Sequence, residues 1–144
     1  MPQVAPLVLS AIVCDRVIID VATKSPSIIH VIHSISAVKY PARHPRMAFF
    51  FELTNGHGEI DLAVRLVDIE QNEKVIAEGR GKVRFANVRQ VIANGLHFDN
   101  IILPHPGEYC FQLFAGDEPL AERRFTCLQV KPGPPKEQNP DSQN

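Results

Sequence analysis

Apolar side chains recur at every second position along most of this chain, which is the period of a β-strand with one buried face. The clearest stretch runs from Glu59 to Ile69, where mainly polar positions alternate with apolar ones: Ile60, Leu62, Val64 and Leu66. Similar stretches cover residues 7–20, 27–38, 47–54, 74–85, 96–103, 108–115 and 120–130. The pattern therefore predicts an all-β fold.

The connections between these stretches are mostly short turns rich in Gly, Pro, Asn and Ser, and two are longer. Residues 40–46 contain two prolines and predict a loop. Within residues 86–95, a short run fits either two helical turns or an irregular crossover. Gly79 and Gly81 interrupt another stretch and predict a bulge or a bend. Long connections of this kind suit the returns between the two sheets of a Greek-key sandwich.

We therefore expect an immunoglobulin-like antiparallel β-sandwich of about 7–8 strands over residues 7–130. A length of 144 residues fits one such domain. Residues 1–6 form a flexible N-terminus in this interpretation. Residues 131–144 hold four prolines and no aromatic or aliphatic side chain, which predicts a disordered tail.

Two predicted strands carry apolar residues on both faces. In residues 27–38 this predicts a strand at the centre of a sheet. In the aromatic strand Phe49 and Phe51 share one face, whereas Phe50 lies on the other. Because a sandwich sheet needs only one apolar face, the second face is either covered by another segment, such as residues 86–95, or meets a partner.

The charge distribution bears on whether the protein binds nucleic acid or membranes, and the cysteine content bears on its cellular compartment. The net charge is −1 and the basic residues are interspersed with acidic ones, so we expect no nucleic-acid and no membrane partner. The apolar run before Cys14 faintly resembles a lipoprotein signal, but no Lys or Arg precedes it and it continues as a strand. Three cysteines without a C-x-x-C pair predict buried thiols in the cytoplasm, with no disulfide.

Six histidines raise the question of a metal site. If each strand reverses direction, His44 and His105 lie at the same end of the sandwich, where Glu73 could complete a ligand set. Neither an H-x-H nor an H-E-x-x-H spacing supports this site, and we predict no metal, no cofactor and no catalytic residue. His30 and His33 are expected on opposite faces of one strand, one half-buried and the other solvated.

An adjacent charged pair, Asp15 and Arg16, interrupts an otherwise apolar strand. Such residues must point outward or be paired. The pair forms either a recognition patch, which Arg43, Arg46 and Arg65 could join, or an ion pair that fixes strand register or blunts an edge strand.

Several short motifs are spread over the chain: CDRVIID at 14–20, SII at 27–29, YPARHP at 40–45, PGEY at 106–109, FQLF at 111–114 and LAERRF at 120–125. Together they resemble a family of small uncharacterised bacterial proteins predicted to have an immunoglobulin-like fold. The likeness covers most of residues 7–130. It implies the fold and a bacterial cytoplasmic protein, and it implies no activity.

Our functional hypothesis is a non-enzymatic module that binds another protein or associates with itself. The candidate interaction surface comprises an aromatic set and a polar set: Phe49, Phe50, Phe51, Asp15, Arg16, Arg43, His44 and His105. One alternative is a metal-binding protein or hydrolase with its site near His44 and His105. Another is a small-ligand carrier, which requires an internal cavity.

Overall fold

A computed structural model describes residues 4–133, and this part of the chain forms nine β-strands and a single 3₁₀ turn, Ile69–Gln71. The strands are β1 (Leu7–Ile19), β2 (Pro26–Val31), β3 (Ser34–Ala37), β4 (Ala42–Thr54), β5 (Gly58–Asp68), β6 (Lys74–Phe85), β7 (Ile92–Leu103), β8 (Gly107–Ala115) and β9 (Glu118–Gln129). The predicted all-β fold is confirmed. The predicted tail lies outside the described residues from residue 134 onward, as do residues 1–3 of the predicted N-terminus.

The strands form two packed sheets. One has the order β2-β1-β4-β7 and the other the order β3-β9-β8-β5-β6. The core lies between them and is built from inward-facing side chains of both sheets, among them Val13, Phe49, Phe51, Leu62, Val64, Tyr109, Phe111 and Phe125. The second sheet is mixed because β3 runs parallel to β9. All the other strand pairs are antiparallel, as predicted, and β3–β9 is the exception.

The stretch predicted as one central strand, residues 27–38, is divided between the two sheets, and that prediction is wrong. The chain leaves β1 after Val31 and joins β9 at Ser34, so β2 and β3 are both edge strands. His30 adopts a left-handed conformation, with φ of 56°, just before the crossing. Both faces are apolar because Ile28 covers the outer face of one sheet while Ile35 packs against the main core.

Strand β4 begins at Ala42, so the loop predicted over residues 40–46 is wrong for most of that range. Pro45 falls between the paired residues His44 and Arg46, where the ladder with β7 skips one position. The strand tolerates this proline because β1 pairs with β4 only as far as Cys14. Beyond that point β4 has a single neighbour, and a missing N–H donor costs little.

The far half of the β1–β2 hairpin, residues 15–31, forms a ribbon that folds over the outer face of β4 and β7. Val17 N donates a hydrogen bond to His97 Nε2 over 3.1 Å, and Ile28 packs beside Val17 on a small cluster of Cys14, Ala48 and Phe50. Phe50 is therefore buried by the chain itself. Val17 and Ile28 of this ribbon contribute to the cover, and Ala93, from the predicted covering segment 86–95, packs against the same cluster.

Glycines in β6 and β7 leave space for side chains of other strands to pack against the backbone. Gly79 and Gly81 pair regularly with β5, and the only register shift in that pairing lies at Leu66–Val67, so of the two predicted alternatives, a bulge or a bend, the bulge is wrong. Gly79 instead faces the Phe98 ring, which a Cβ atom would approach to 3.2 Å. Residues 86–91 form no helix, and β7 begins at Ile92.

Replacing Gly95 with alanine should lift the ribbon from the sheet beneath it. The new Cβ atom would lie 2.8 Å from Val17 Cγ2, and a β-branched valine has few alternative rotamers. We expect the free energy of unfolding to fall by about 1–3 kcal/mol, measured by urea denaturation. Gly81→Ala is the matched control, because its Cβ would meet Leu96 Cδ2 at 3.8 Å, an ordinary contact. Equal stability of the two variants would contradict the ribbon packing.

Candidate functional site

The chain segment that passes between the sheets leaves backbone groups unpaired. Residues 26–37, which comprise β2, β3 and the two residues between them, are named here the crossover edge. On its inner side, Ile32 N bonds to Val13 O over 2.8 Å and Thr126 N bonds to His33 O over 3.1 Å. On the outer side, neither strand has a neighbouring strand within residues 4–133. Such an edge is a template for another strand.

The crossover edge also lacks the charges that usually protect an edge strand. No Asp, Glu, Lys or Arg occurs in residues 26–37. At the opposite side of the sandwich, edge strand β6 carries charged side chains along its length: Lys74, Glu78, Arg80, Lys82 and Arg84. Charged side chains on an edge discourage pairing with other chains. The two sides of the sandwich therefore differ in their readiness to accept a strand.

A cavity of about 330 Å³ opens where the crossover edge meets β1 and β4. We call it the crossover cavity. It is lined by a mixture of polar and aliphatic side chains: Asp15, His30, Val31, Ile32, Ser34, Ile35, Ser36 and His44. Asp15 and His44, two of the predicted surface residues, thus come together here.

The electrostatics of the crossover cavity are governed by Asp15. Its Oδ2 lies 3.8 Å from Nη2 of Arg46, and both side chains are partly exposed, so this ion pair contributes little to stability. Burial lowers the pKa of His44, while the nearby Asp15 charge and a hydrogen bond with the Arg46 backbone oppose that effect. His44 is therefore neutral near pH 7 and can accept a hydrogen bond.

The remaining arginines of the predicted patch lie apart from the cavity lining. Arg16 is exposed beside Ile29 of β2, and Arg43 is exposed opposite Ile102 of β7. Arg65 belongs to the other sheet, where its guanidinium carbon sits 5.1 Å from the centre of the Phe114 ring. Arg65 therefore does not extend the patch around Asp15.

The aromatic part of the predicted surface is interior. Phe49 and Phe51 are 0% and 1% exposed in the main core, and Phe50 is 4% exposed beneath the ribbon. These rings pack the protein and offer no surface to a partner. His30 and His33 are both exposed, so the prediction that one of them is half-buried is wrong.

His105 belongs to a separate structural cluster at the start of β8. Its Nε2 lies 2.6 Å from Oδ2 of Asp68, and its Nδ1 lies 2.7 Å from the carbonyl oxygen of Pro106. Tyr109 donates its hydroxyl to the His105 carbonyl over 2.6 Å. Because both ring nitrogens face acceptors, the protonated imidazole is favoured and the pKa of His105 is raised, first by Pro106 and then by Asp68 and Glu70.

His44 and His105 do not share a set of ligands. His44 lies by Asp15, whereas His105 binds Asp68, and Glu73 accepts a hydrogen bond from Gln112 over 3.3 Å. Within the described residues, no group of three or more His, Cys, Asp or Glu side chains is arranged to hold a metal ion.

Several of these features were missed in the sequence. Asp68 is 1% exposed and caps the 3₁₀ turn by accepting from Glu70 N over 3.1 Å. An Asp that ends an alternating strand before a turn is a recognisable capping signal. Ser34 and Ser36 line the crossover cavity, and their alternation with Ile35 in an uncharged run was the available signal.

The sequence profile of one family, described as "Family of unknown function (DUF6941)", matches residues 9–128. The chain belongs to this family. The DUF6941 match runs from β1 into β9 and therefore spans both sheets and the crossover edge. No curated protein matches the chain. Within residues 4–133, no helix is long and apolar enough to cross a membrane.

The contact between His105 and Asp68 should make stability depend on pH. A raised pKa means that folding favours the charged imidazole, so this stabilisation is complete below about pH 6.5 and is lost as the pH rises through the raised pKa. We expect the stability difference between wild type and His105→Gln to shrink above pH 6.5 in urea unfolding. His57→Gln, which removes an exposed histidine, is measured beside it as the control for loss of an imidazole. A constant difference for His105→Gln would contradict the assignment.

The three cysteines should be inert in the native protein. Cys14, Cys110 and Cys127 are buried, and burial raises each thiol pKa to about 11. We expect Ellman's reagent at pH 8 to label none of them before unfolding and all of them in guanidinium chloride. Ser36→Cys, with a thiol on the exposed crossover edge, is the positive control and should react at once. Rapid labelling of the wild type would contradict the burial.

Proposed function

We propose that this protein is a non-enzymatic protein-binding module that accepts an extended segment of a partner protein along the crossover edge. The observation that carries the proposal is the combination of unpaired strand edges with an uncharged sequence over residues 26–37. An incoming strand would pair with the free N–H and C=O groups of β2 or β3, as in other cases of strand addition.

Apolar side chains beside the edge would supply contact area for such a segment. Ile18, Ile19 and Val31 are 46%, 51% and 53% exposed on the β1–β2 hairpin. Backbone pairing alone is indifferent to sequence, so selectivity must come from side-chain contacts and pockets next to the edge. The crossover cavity is in the right position to provide one such pocket.

The interior of the sandwich offers less support for a small-ligand carrier. The rings of Phe49, Phe111, Phe125 and Tyr109 follow one another between the sheets with centroid separations of 5.5, 5.9 and 5.7 Å. An aromatic row at these distances is a packed core. The separate environments of His44 and His105 likewise favour binding over a hydrolytic or metal-dependent role at those histidines.

We also infer that the protein is bacterial and cytoplasmic and that its sandwich is immunoglobulin-like. Three buried thiols without a disulfide support a reducing compartment. Two packed sheets with a core of alternating inward residues support the immunoglobulin-like assignment. The motifs at residues 14–20 and 120–125 support the bacterial family.

Selection from a phage library of random twelve-residue peptides tests the proposal with the whole purified chain. We expect selected peptides to slow hydrogen exchange of amides in β2 or β3. Ser27→Lys and Ser36→Lys, which place a charge on the exposed edge, should weaken binding by about tenfold, or about 1.4 kcal/mol. Fluorescence anisotropy of a labelled peptide measures the loss.

Gln71→Lys is the matched control, because it adds the same charge at an exposed site away from the edge. Its affinity should equal that of the wild type. Peptides that bind all variants equally, or that protect β6 instead, would contradict the proposal. A wild-type dimer in sedimentation experiments that Ser27→Lys or Ser36→Lys abolishes would identify a second copy of this chain as the occupant and overturn the assignment of a separate partner.

A further inference from the structure

Polar side chains from four strands line the crossover cavity. Asp15 comes from β1, the two imidazoles of His30 and His44 from β2 and β4, and the hydroxyls of Ser34 and Ser36 from β3. Arg46 is the one ion-pair partner of Asp15 in the described part of the chain, and its distance of 3.8 Å exceeds that of a hydrogen bond. The carboxylate therefore keeps acceptor capacity for a further cation.

The described lining of the crossover cavity contains no lysine or arginine side chain. Burial lowers the pKa of His44, so its imidazole is an acceptor near neutral pH and does not repel a positive ligand. Asp15 is the one carboxylate among the described lining residues, and the guanidinium that pairs with it, Arg46, lies outside that lining.

The walls and size of the crossover cavity restrict the ligand further. Val31, Ile32 and Ile35 form apolar walls beside the acceptors, which suits a cation attached to methylene groups. A volume of about 330 Å³ is at the lower end of the range, about 300–1,000 Å³, typical of small-molecule sites. A compact ammonium with three donors can bind acceptors that come from different strands, whereas a planar guanidinium prefers two acceptors side by side.

We infer that the crossover cavity binds a primary ammonium group on an aliphatic stem, supplied as a lysine side chain of the bound segment. The source of the ammonium rests on the proposed function, whereas the chemistry of the cavity does not. Asp15 supplies the charge that holds the ammonium, and the edge strand β3 places a neighbouring lysine in reach. A bound segment is thus selected by its backbone and by one basic side chain.

Titration of the full-length ¹⁵N-labelled protein with n-butylamine tests the cavity without any peptide. We expect saturable chemical-shift changes at Asp15, Ser34 and His44, and none with n-butanol, which has the same stem and no charge. Asp15→Asn should weaken n-butylamine binding by about tenfold, because a charge-assisted hydrogen bond becomes a neutral one. Asp117→Asn removes the same charge from an exposed turn and should bind as the wild type does.

A selected peptide separates this inference from the proposed function. Replacing its lysine with norleucine should weaken binding by about tenfold in the wild type and have little effect in Asp15→Asn. Peptides that bind the edge without a lysine, together with no shift on adding n-butylamine, would overturn the inference and leave the protein-binding proposal standing. Saturable n-butylamine binding without any edge-dependent peptide would overturn the proposed function and support an amine site.

Discussion

The pairing of β1 with β4 ends at Cys14, and much of the architecture depends on that limit. Up to Cys14, β1 pairs with β4 as a regular strand of the sheet. Beyond Cys14, β1 pairs with β2, and these two strands form the ribbon that covers Phe50 on the outer face of the sheet. The same departure leaves the first residues of β4 with one neighbour, which accommodates Pro45, and opens the space that becomes the crossover cavity.

The sequence predicted correctly those strands that belong to a single sheet and whose pattern depends only on which face is buried. Strand β5 was predictable because Ile60, Leu62, Val64 and Leu66 repeat with a period of two and form its buried inner face, although only the first part of its other face is exposed. Residues 27–38 have the same period, but their first part belongs to one sheet and their last part to the other. Their apolar residues therefore lie on two faces, a pattern that is also expected of a central strand. Gly79 suggested a bulge because the neighbouring sequence does not show its actual role. The ring of Phe98, from a distant strand, occupies the space that a side chain at position 79 would take.

The candidate site was predictable only in part, for a similar reason. Asp15 stood out as a charge in an apolar strand and His44 as a candidate metal ligand, but they are far apart in the chain, and only the topology brings them to one cavity. The absence of charge over residues 26–37 is plain in the sequence. This absence of charge indicates an unprotected edge only once both strands are known to lie at sheet edges, because strands inside a sheet often carry no charge.

The parallel pairing of β3 with β9 ties the order of synthesis to the order of assembly. Ser34 emerges from the ribosome long before Thr126, its partner in the ladder, so β3 has no neighbouring strand until β9 has been made. Contacts over such a sequence separation form late and slowly. A nascent chain that has not yet reached β9 therefore lacks the β3 half of the crossover edge, and that edge is complete only once both sheets have formed.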